Sequence, residues 1–214
     1  MKTPRNKEEI DQVKEKILEG ALDIITEMGF NNLTMRKLAQ KIGMTAPNIY
    51  NYFSGKDELY INIVIRGFEM LRNDLREAYQ ENSDMISKVR GMIEAYLTFG
   101  LTKPRYYDIM FTLPTPKHND YVGTEYEALS TIEHNISLEI ADMVLKASAD
   151  FSGSDKESES VELRIAQVWS LLHGMVSLYN SQIINYVVKD ADKTYSKLIE
   201  EYVNIAANLV RENS

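Results

Sequence analysis

The sequence predicts an all-α protein in which a three-helix helix-turn-helix unit is joined by a long helix to a larger helical body. Three observations carry this. Apolar residues recur at spacings of three and four along most of the chain. Stretches that alternate apolar and polar residues are scarce. Only 5 prolines and 10 glycines punctuate 214 residues, so the helices are long and the turns few.

The elements follow in order. Ile10, Val13, Ile17, Leu18, Ala21, Ile24, Ile25 and Met28 form one face of an amphipathic helix that stops at Gly29. Asn31 and Asn32 make a polar turn. Thr34 is placed to cap a short helix through Met35, Leu38, Ala39 and Ile42, ended by Gly43. Thr45 is placed to cap the next, with Pro47 in its first turn, where the missing N–H costs nothing. That helix carries Asn48 to Phe53 and breaks at Ser54-Gly55. Lys56-Asp57-Glu58-Leu59 opens a helix that reaches about Asn82. Further helices are expected near 85–101, 105–113, 121–149, 160–188 and 191–212. Residues 112–120, with two prolines, read as a structured loop, and 151–160 as a polar, flexible one.

Composition excludes several kinds of chemistry. With no cysteine there is no disulfide framework, thiolate metal site, Fe–S cluster or cysteine nucleophile, and a reducing, cytoplasmic setting fits. The charged residues 1–9 lead into no apolar run, so no secretory signal is expected, and no segment offers the ~18 uncharged apolar residues of a membrane span. No G-x-G-x-x-G or P-loop appears, and no cofactor is expected. His118, His134 and His173 show no metal-ligand spacing, so each is read as a surface or satisfied core residue. The net charge of −8 hides an asymmetry: from Met28 to Lys56 the only charges are Arg36, Lys37, Lys41 and Lys56.

That basic window holds the chemistry. Two short helices joined by a tight glycine turn have helix-turn-helix spacing, and the second helix would enter the DNA major groove. Ile49 and Phe53, four apart, point inward, while Ala46, Pro47, Asn48, Tyr50, Asn51 and Tyr52 lie off the apolar face. Small and amide side chains can approach base edges, and tyrosine hydroxyls can donate to phosphates. Arg36 is a candidate reader of guanine or a phosphate clamp, and Lys56 stands at a helix start that favours phosphate.

The run Leu33-Thr34-Met35-Arg36-Lys37-Leu38-Ala39-Gln40-Lys41-Ile42-Gly43-Met44-Thr45-Ala46-Pro47-Asn48-Ile49-Tyr50-Asn51-Tyr52-Phe53-Ser54-Gly55-Lys56-Asp57-Glu58-Leu59 resembles the DNA-binding signature of the TetR family of transcriptional regulators. Trp169-Ser170-Leu171-Leu172-His173-Gly174 resembles a Trp-containing, His-Gly-ended signature of one class of that family's ligand and dimerisation domains. The resemblance implies a homodimeric regulator, most simply a repressor released from a palindromic DNA operator by a small apolar or amphipathic effector. It implies a DNA-binding domain at 1–56 and an effector-binding and dimerisation domain at 57–214. Operator contacts would come from Thr34, Arg36, Thr45, Ala46, Pro47, Asn48, Tyr50, Asn51, Tyr52 and Lys56. Tyr52 stands where relatives often carry His; it remains a phosphate donor, so DNA binding is expected to survive, without implying the relatives' operator.

Candidates for an effector cavity are Tyr96, Phe99, Tyr106, Met110, Phe111, Met143, Trp169, His173 and Tyr179, an apolar lining with a few polar anchors. For the dimer seam they are Leu163, Ala166, Trp169, Leu172, Val176, Leu198, Tyr202, Ile205 and Leu209, with Gly174 allowing close approach. Two rival readings are an adaptor whose helix-turn-helix has lost DNA, suggested by the acidic body, and a helical enzyme, for which no catalytic constellation is visible.

Overall fold

A computed structural model describes residues 6–155 and 157–212, with side chains placed as far as Asn204. Ten α-helices follow in chain order: α1 Lys7–Met28, α2 Met35–Ile42, α3 Ala46–Tyr50, α4 Lys56–Glu81, α5 Met85–Thr102, α6 Pro104–Tyr107, α7 His118–Tyr121, α8 Glu127–Ser152, α9 Glu159–Asn180 and α10 Ala191–Glu212. No strand occurs among the described residues, and none of their helices is long and apolar enough to cross a membrane. The chain forms two compact units. The first comprises the chain up to Phe68 together with Arg105–Ile136, and the second comprises Glu69–Pro104 together with the chain from Ser137 on.

In the first unit, local signals set the helix ends. Asn6 and Glu9 form a reciprocal capping box at the start of α1. Thr34 accepts the Lys37 N–H at the start of α2. Gly43 adopts a left-handed φ of 67°, which a residue with a Cβ reaches only at a cost, and the Met44 N–H closes back on the Ala39 carbonyl at 2.9 Å. Ile17, Leu22, Ile25, Leu33, Leu38, Ile49 and Leu59 are fully buried, each contributing about 1.5–3 kcal/mol of hydrophobic transfer. At Gly20 a Cβ would collide with the Ile42 and Leu38 side chains, so α1 and α2 meet there backbone to side chain.

Several expected boundaries move. Thr45 stands at the N-cap of α3, but its side chain makes no capping bond, and α3 ends at Tyr50. Tyr52 and Phe53, expected on that helix, lie in the turn after it, where their N–H groups still bond the Ile49 carbonyl at 2.9 and 3.1 Å. The helix expected over 105–113 is one α turn followed by a π-helical turn at Asp108–Thr112. Its Met110 packs so closely on α4 that Gly67 has no room for a Cβ. The helix expected from 121 begins at Glu127, because Gly123 turns the chain with φ 78°. The helix expected through 188 ends at Asn180, where Gln182 turns left-handed (φ 61°) and Ile183–Tyr186 form a 3₁₀ turn.

In the second unit, α5 is the hub against which α9 and α10 pack. Trp169 donates its indole N–H to the Tyr96 hydroxyl at 3.0 Å, Asn180 donates to the Gly100 carbonyl at 3.1 Å, and Tyr195 donates to the Met175 carbonyl at 2.8 Å. Arg72 on α4 pairs with Glu139 on α8 at 2.9 Å.

Candidate nucleic-acid interface

The α2–turn–α3 segment presents a polar surface over an apolar floor. Ile49 and Phe53 are buried, as their four-residue spacing predicts, whereas Thr34, Arg36, Thr45, Pro47, Tyr50 and Asn51 are exposed and Ala46, Asn48 and Tyr52 half-buried. Tyr50 is 54% exposed, high for a large aromatic and suited to a donor that reaches outward. The four cations of the basic window have different surroundings. Lys41 lies 3.4 Å from both Asp23 and Glu27 of α1, so its charge is already compensated. The Lys37 ammonium donates to the Asn32 amide oxygen at 3.1 Å. Arg36 enters no ion pair among the described residues. Lys56 holds its ammonium 4.4 Å from the centroid of the Phe30 ring, an arrangement that fixes the side chain while keeping its charge.

The turn from α3 into α4 is held from two sides. Locally, Glu58 accepts the Ser54 N–H at 2.6 Å. From far along the chain, three tyrosines connect α4 and its preceding turn to residues 113–126. The Tyr60 hydroxyl lies 2.7 Å from the Pro116 carbonyl and 3.0 Å from Thr115 Oγ1, and burial pushes its pKa up to about 12. Tyr121 donates to Asp57 at 3.1 Å; burial, followed by that carboxylate's charge, drives its phenol well above the ordinary range. The Tyr126 hydroxyl sits 3.4 Å from Ser54 Oγ and 3.1 Å from where a Cβ on Gly55 would be. Tyr121 and Tyr126 meet edge to face at 6.2 Å. Sequence reasoning identified the two-proline loop as structured but missed these tyrosines. Tyr121 and Tyr126 follow the two prolines in a mostly polar stretch, a weak signal, and Tyr60 sits on the apolar face of α4 like any core residue.

An acidic ribbon, Glu15, Glu19, Asp23 and Glu27, runs along α1 at four-residue intervals. Arg66 pairs with Glu15, and Arg105 with Glu19 and Asp23, while Tyr106 donates to Glu19 at 3.1 Å. Spacing like charges at four residues destabilises a lone helix, so the basic partners on α2, α4 and α6 offset a repulsion built into α1.

The effector candidates divide between the units. Tyr106, Met110 and Phe111 belong to the first, where Tyr106 and Met110 are buried and Phe111 packs edge-on against Phe68. The others belong to the second. There Phe99 and Tyr96 are buried on α5, Trp169 is bonded to Tyr96, His173 is half-buried, and Tyr179 donates to Asp192 at 2.9 Å. Met143 lines an open cleft of about 440 Å³ with Arg76, Tyr79, Glu139, Asp142 and Lys146. An apolar void lined by Ile93, Val168, Leu171, Leu172, Met175, Leu198, Ile199 and Tyr202 measures only about 10 Å³, at most the space of one water.

The dimer candidates also divide. Leu163, Ala166 and Trp169 are exposed, Leu163 by 59%, but Leu172 and Val176 are buried inside the unit. Leu198 and Tyr202 line the small internal void. The side chains of Ile205 and Leu209 lie outside the described residues. The exposed ridge of α9 instead runs Leu163, Ala166, Ser170, Leu178, with half-buried Gly174 at its centre, where an added Cβ would meet nothing within 4 Å.

His118 and His134 come together as a parallel stack 4.6 Å between ring centroids, with His118 Nδ1 3.1 Å from the buried Ser130 hydroxyl. Burial raises the pKa of the neighbouring Glu133 carboxyl, and the charges of His118 and Lys117 oppose that rise. No group of three or more His, Cys, Asp or Glu residues among the described residues is placed to hold a metal ion.

Comparison with known proteins agrees with this geometry. Residues 17–63 match the family model described as bacterial regulatory proteins, tetR family. Residues 89–202 match the tetracyclin repressor-like C-terminal domain. The chain is 27% identical over 112 residues to the HTH-type transcriptional activator FasR of Mycolicibacterium smegmatis, covering 52% of this chain and 48% of that protein. It is 22% identical over 122 residues to the HTH-type transcriptional regulator YobS of Bacillus subtilis, covering 57% and 63%. The matched region thus spans less than two thirds of either relative's length. A solved structure of a tetR-family regulatory protein from Rhodococcus RHA1 superposes with a TM-score of 0.68 at 14% identity, covering 92% of this chain and 96% of that one, a likeness of fold. With its N-terminal helices and more than half of its length matched to that family's two domains, the chain belongs to the TetR family of bacterial regulatory proteins.

Proposed function

We propose that the protein is a sequence-specific DNA-binding transcriptional regulator that acts in the cytoplasm as a homodimer and responds to a small apolar or amphipathic effector. The observation that carries the reading is the exposed polar face of α3 over buried Ile49 and Phe53, set in a window with no acidic residue from Met28 to Lys56. Base-edge readers are Arg36, Ala46, Pro47 and Asn48; phosphate partners are Thr34, Thr45, Tyr50, Asn51, Tyr52 and Lys56. Residues 1–56 carry DNA recognition and 57–214 carry effector binding and dimerisation. In one arrangement of the dimer the two recognition helices stand about 34–36 Å apart and fit a palindromic operator. The effector stabilises another arrangement, and shifts the balance only by its differential affinity for the two. Because the apolar void within the second unit holds at most a water, an effector entering beside Leu172, Met175 and Tyr202 must open that packing. Binding and rearrangement are therefore coupled.

Repression is the expected sign. One relative carries the name of an activator, so a reporter assay reads either direction. The test is fluorescence anisotropy of the protein on DNA from its own upstream region and on operators selected from random sequence, across a salt series, with scrambled DNA as control. Selective binding that weakens steeply with salt is expected. Arg36→Ala and Tyr50→Ala should each weaken it about 5–150-fold while fold and assembly persist. Variants that bind like the parent would leave the adaptor or enzyme reading instead.

A further inference from the structure

The helix-turn-helix holds the recognition residues, but the turn that leads out of it is anchored elsewhere. Ser54 and Gly55 present little side chain of their own; locally the Glu58 carboxylate accepts the Ser54 N–H at 2.6 Å and the Gly55 carbonyl accepts the Leu59 N–H at 3.2 Å. Their tertiary support comes from residues 113–126. Tyr126 lies over Ser54 and Gly55, Tyr121 holds Asp57, and Thr115 and Pro116 hold Tyr60. Tyr60 in turn stands edge-on to Phe30 at 5.1 Å, and Phe30 carries the ammonium of Lys56. A continuous series of contacts therefore runs from the two-proline loop to a cation in the basic window.

We infer that Tyr126, assisted by Tyr121 and Tyr60, is a positioning residue for DNA binding: it fixes the Ser54–Gly55 turn and thereby sets the Lys56 ammonium on an operator phosphate. This rests on the proposed role of Lys56. Phosphate contacts tolerate little misplacement, and a residue held by a supporting set of contacts binds at a smaller ordering cost than one free to wander. The 105–136 segment is on this account a working part of the DNA-binding surface, although it lies far from the helix-turn-helix in sequence.

The test is a double-mutant cycle on the full-length protein with its selected operator, read by anisotropy over a salt series. Lys56→Ala should weaken binding and reduce the log–log salt slope by about one. Tyr126→Phe, which removes only the hydroxyl, should weaken binding about 3–10-fold and also flatten the slope. In the Lys56→Ala background it should cost less than about twofold, because the two changes remove one interaction. Ser54→Ala removes the other hydroxyl of the contact, should match Tyr126→Phe, and supplies the test by itself if the tyrosine variant does not fold. An equal loss in both backgrounds with an unchanged slope would show packing alone and overturn the inference, as would no loss. If Lys56→Ala binds like the parent, the reading of Lys56 fails first, and this inference falls with it.

Discussion

The two units solve the problem of apolar surface differently. In the first, Ile17, Leu22, Ile25, Leu33, Leu38, Ile49, Leu59, Ile61, Ile63 and Tyr107 are all fully buried, and the exposed large apolar residues, Met28, Tyr50, Val122 and Ile132, are scattered over separate elements. The second keeps Leu138, Leu163, Trp169, Leu178, Ile183, Tyr186 and Val187 exposed, Tyr186 by 89%. Leu163, Trp169 and Leu178 gather on one helix, α9, and exposed apolar residues gathered in that way mark a candidate association surface. On the function proposed above, DNA recognition rests on the first unit and association on the second, whose exposed α9 ridge would need a second copy to cover it.

The largest expected effect tests that need directly. Leu163→Glu combined with Leu178→Glu should convert the dimer to monomer in sedimentation velocity and weaken operator binding roughly 100-fold or more, since paired half-sites are then read singly. A dimer that survives both changes places the seam elsewhere. Next come two glycines, one from each unit. Gly20→Ala meets Ile42 and Leu38 and should cost about 1–3 kcal/mol of unfolding free energy by denaturant titration. Gly174→Ala meets nothing within 4 Å among the described residues; it should add about 0.5–1 kcal/mol of helix stability and raise the dimer dissociation constant. Equal losses of stability from both would erase the contrast between the units. The smallest effect is at Glu133. Folding raises its carboxyl pKa, chiefly by burial, so the folded state holds that proton more tightly than the unfolded one. The penalty is full above the raised pKa and fades as pH falls through it. Glu133→Gln should therefore raise Tm at pH 7 by about 1–3 °C, with the gain shrinking toward acid pH.

Much of this was legible because the signals are local. Thr34 and Gly43 bracket α2, Gly29 ends α1, and Lys56 opens α4, each through chemistry confined to one turn of chain. The exposed face of α3 was legible for the same reason, since Ile49 and Phe53 fix which side is inward. The proposed seam on α9 was not. Leu163, Trp169, Leu172 and Val176 lie around a helix that is apolar on its core side and on its exposed side alike, and periodicity cannot say which apolar face meets the chain's own core. Leu172 and Val176 proved to be core, and Leu163 and Leu178 surface. The π turn at 108–112 and the break before α8 follow from tertiary packing and from Gly123, against helical periodicity that runs through both. The tyrosine contacts are longer range still, with 72 residues separating Ser54 from Tyr126.

That separation has a consequence during synthesis. The helix-turn-helix residues leave the ribosome well before Tyr126 is made. At about 5–20 residues per second the Ser54–Gly55 turn waits roughly 4–14 s for its partner. A nascent chain stalled in that interval would carry a complete α3 on a turn that has its local bonds to Glu58 and Leu59 but not its contact with Tyr126. A chimera that transplants only residues 1–56 onto another body would make the same state permanent, so a graft meant to keep operator affinity should carry residues 105–136 with it.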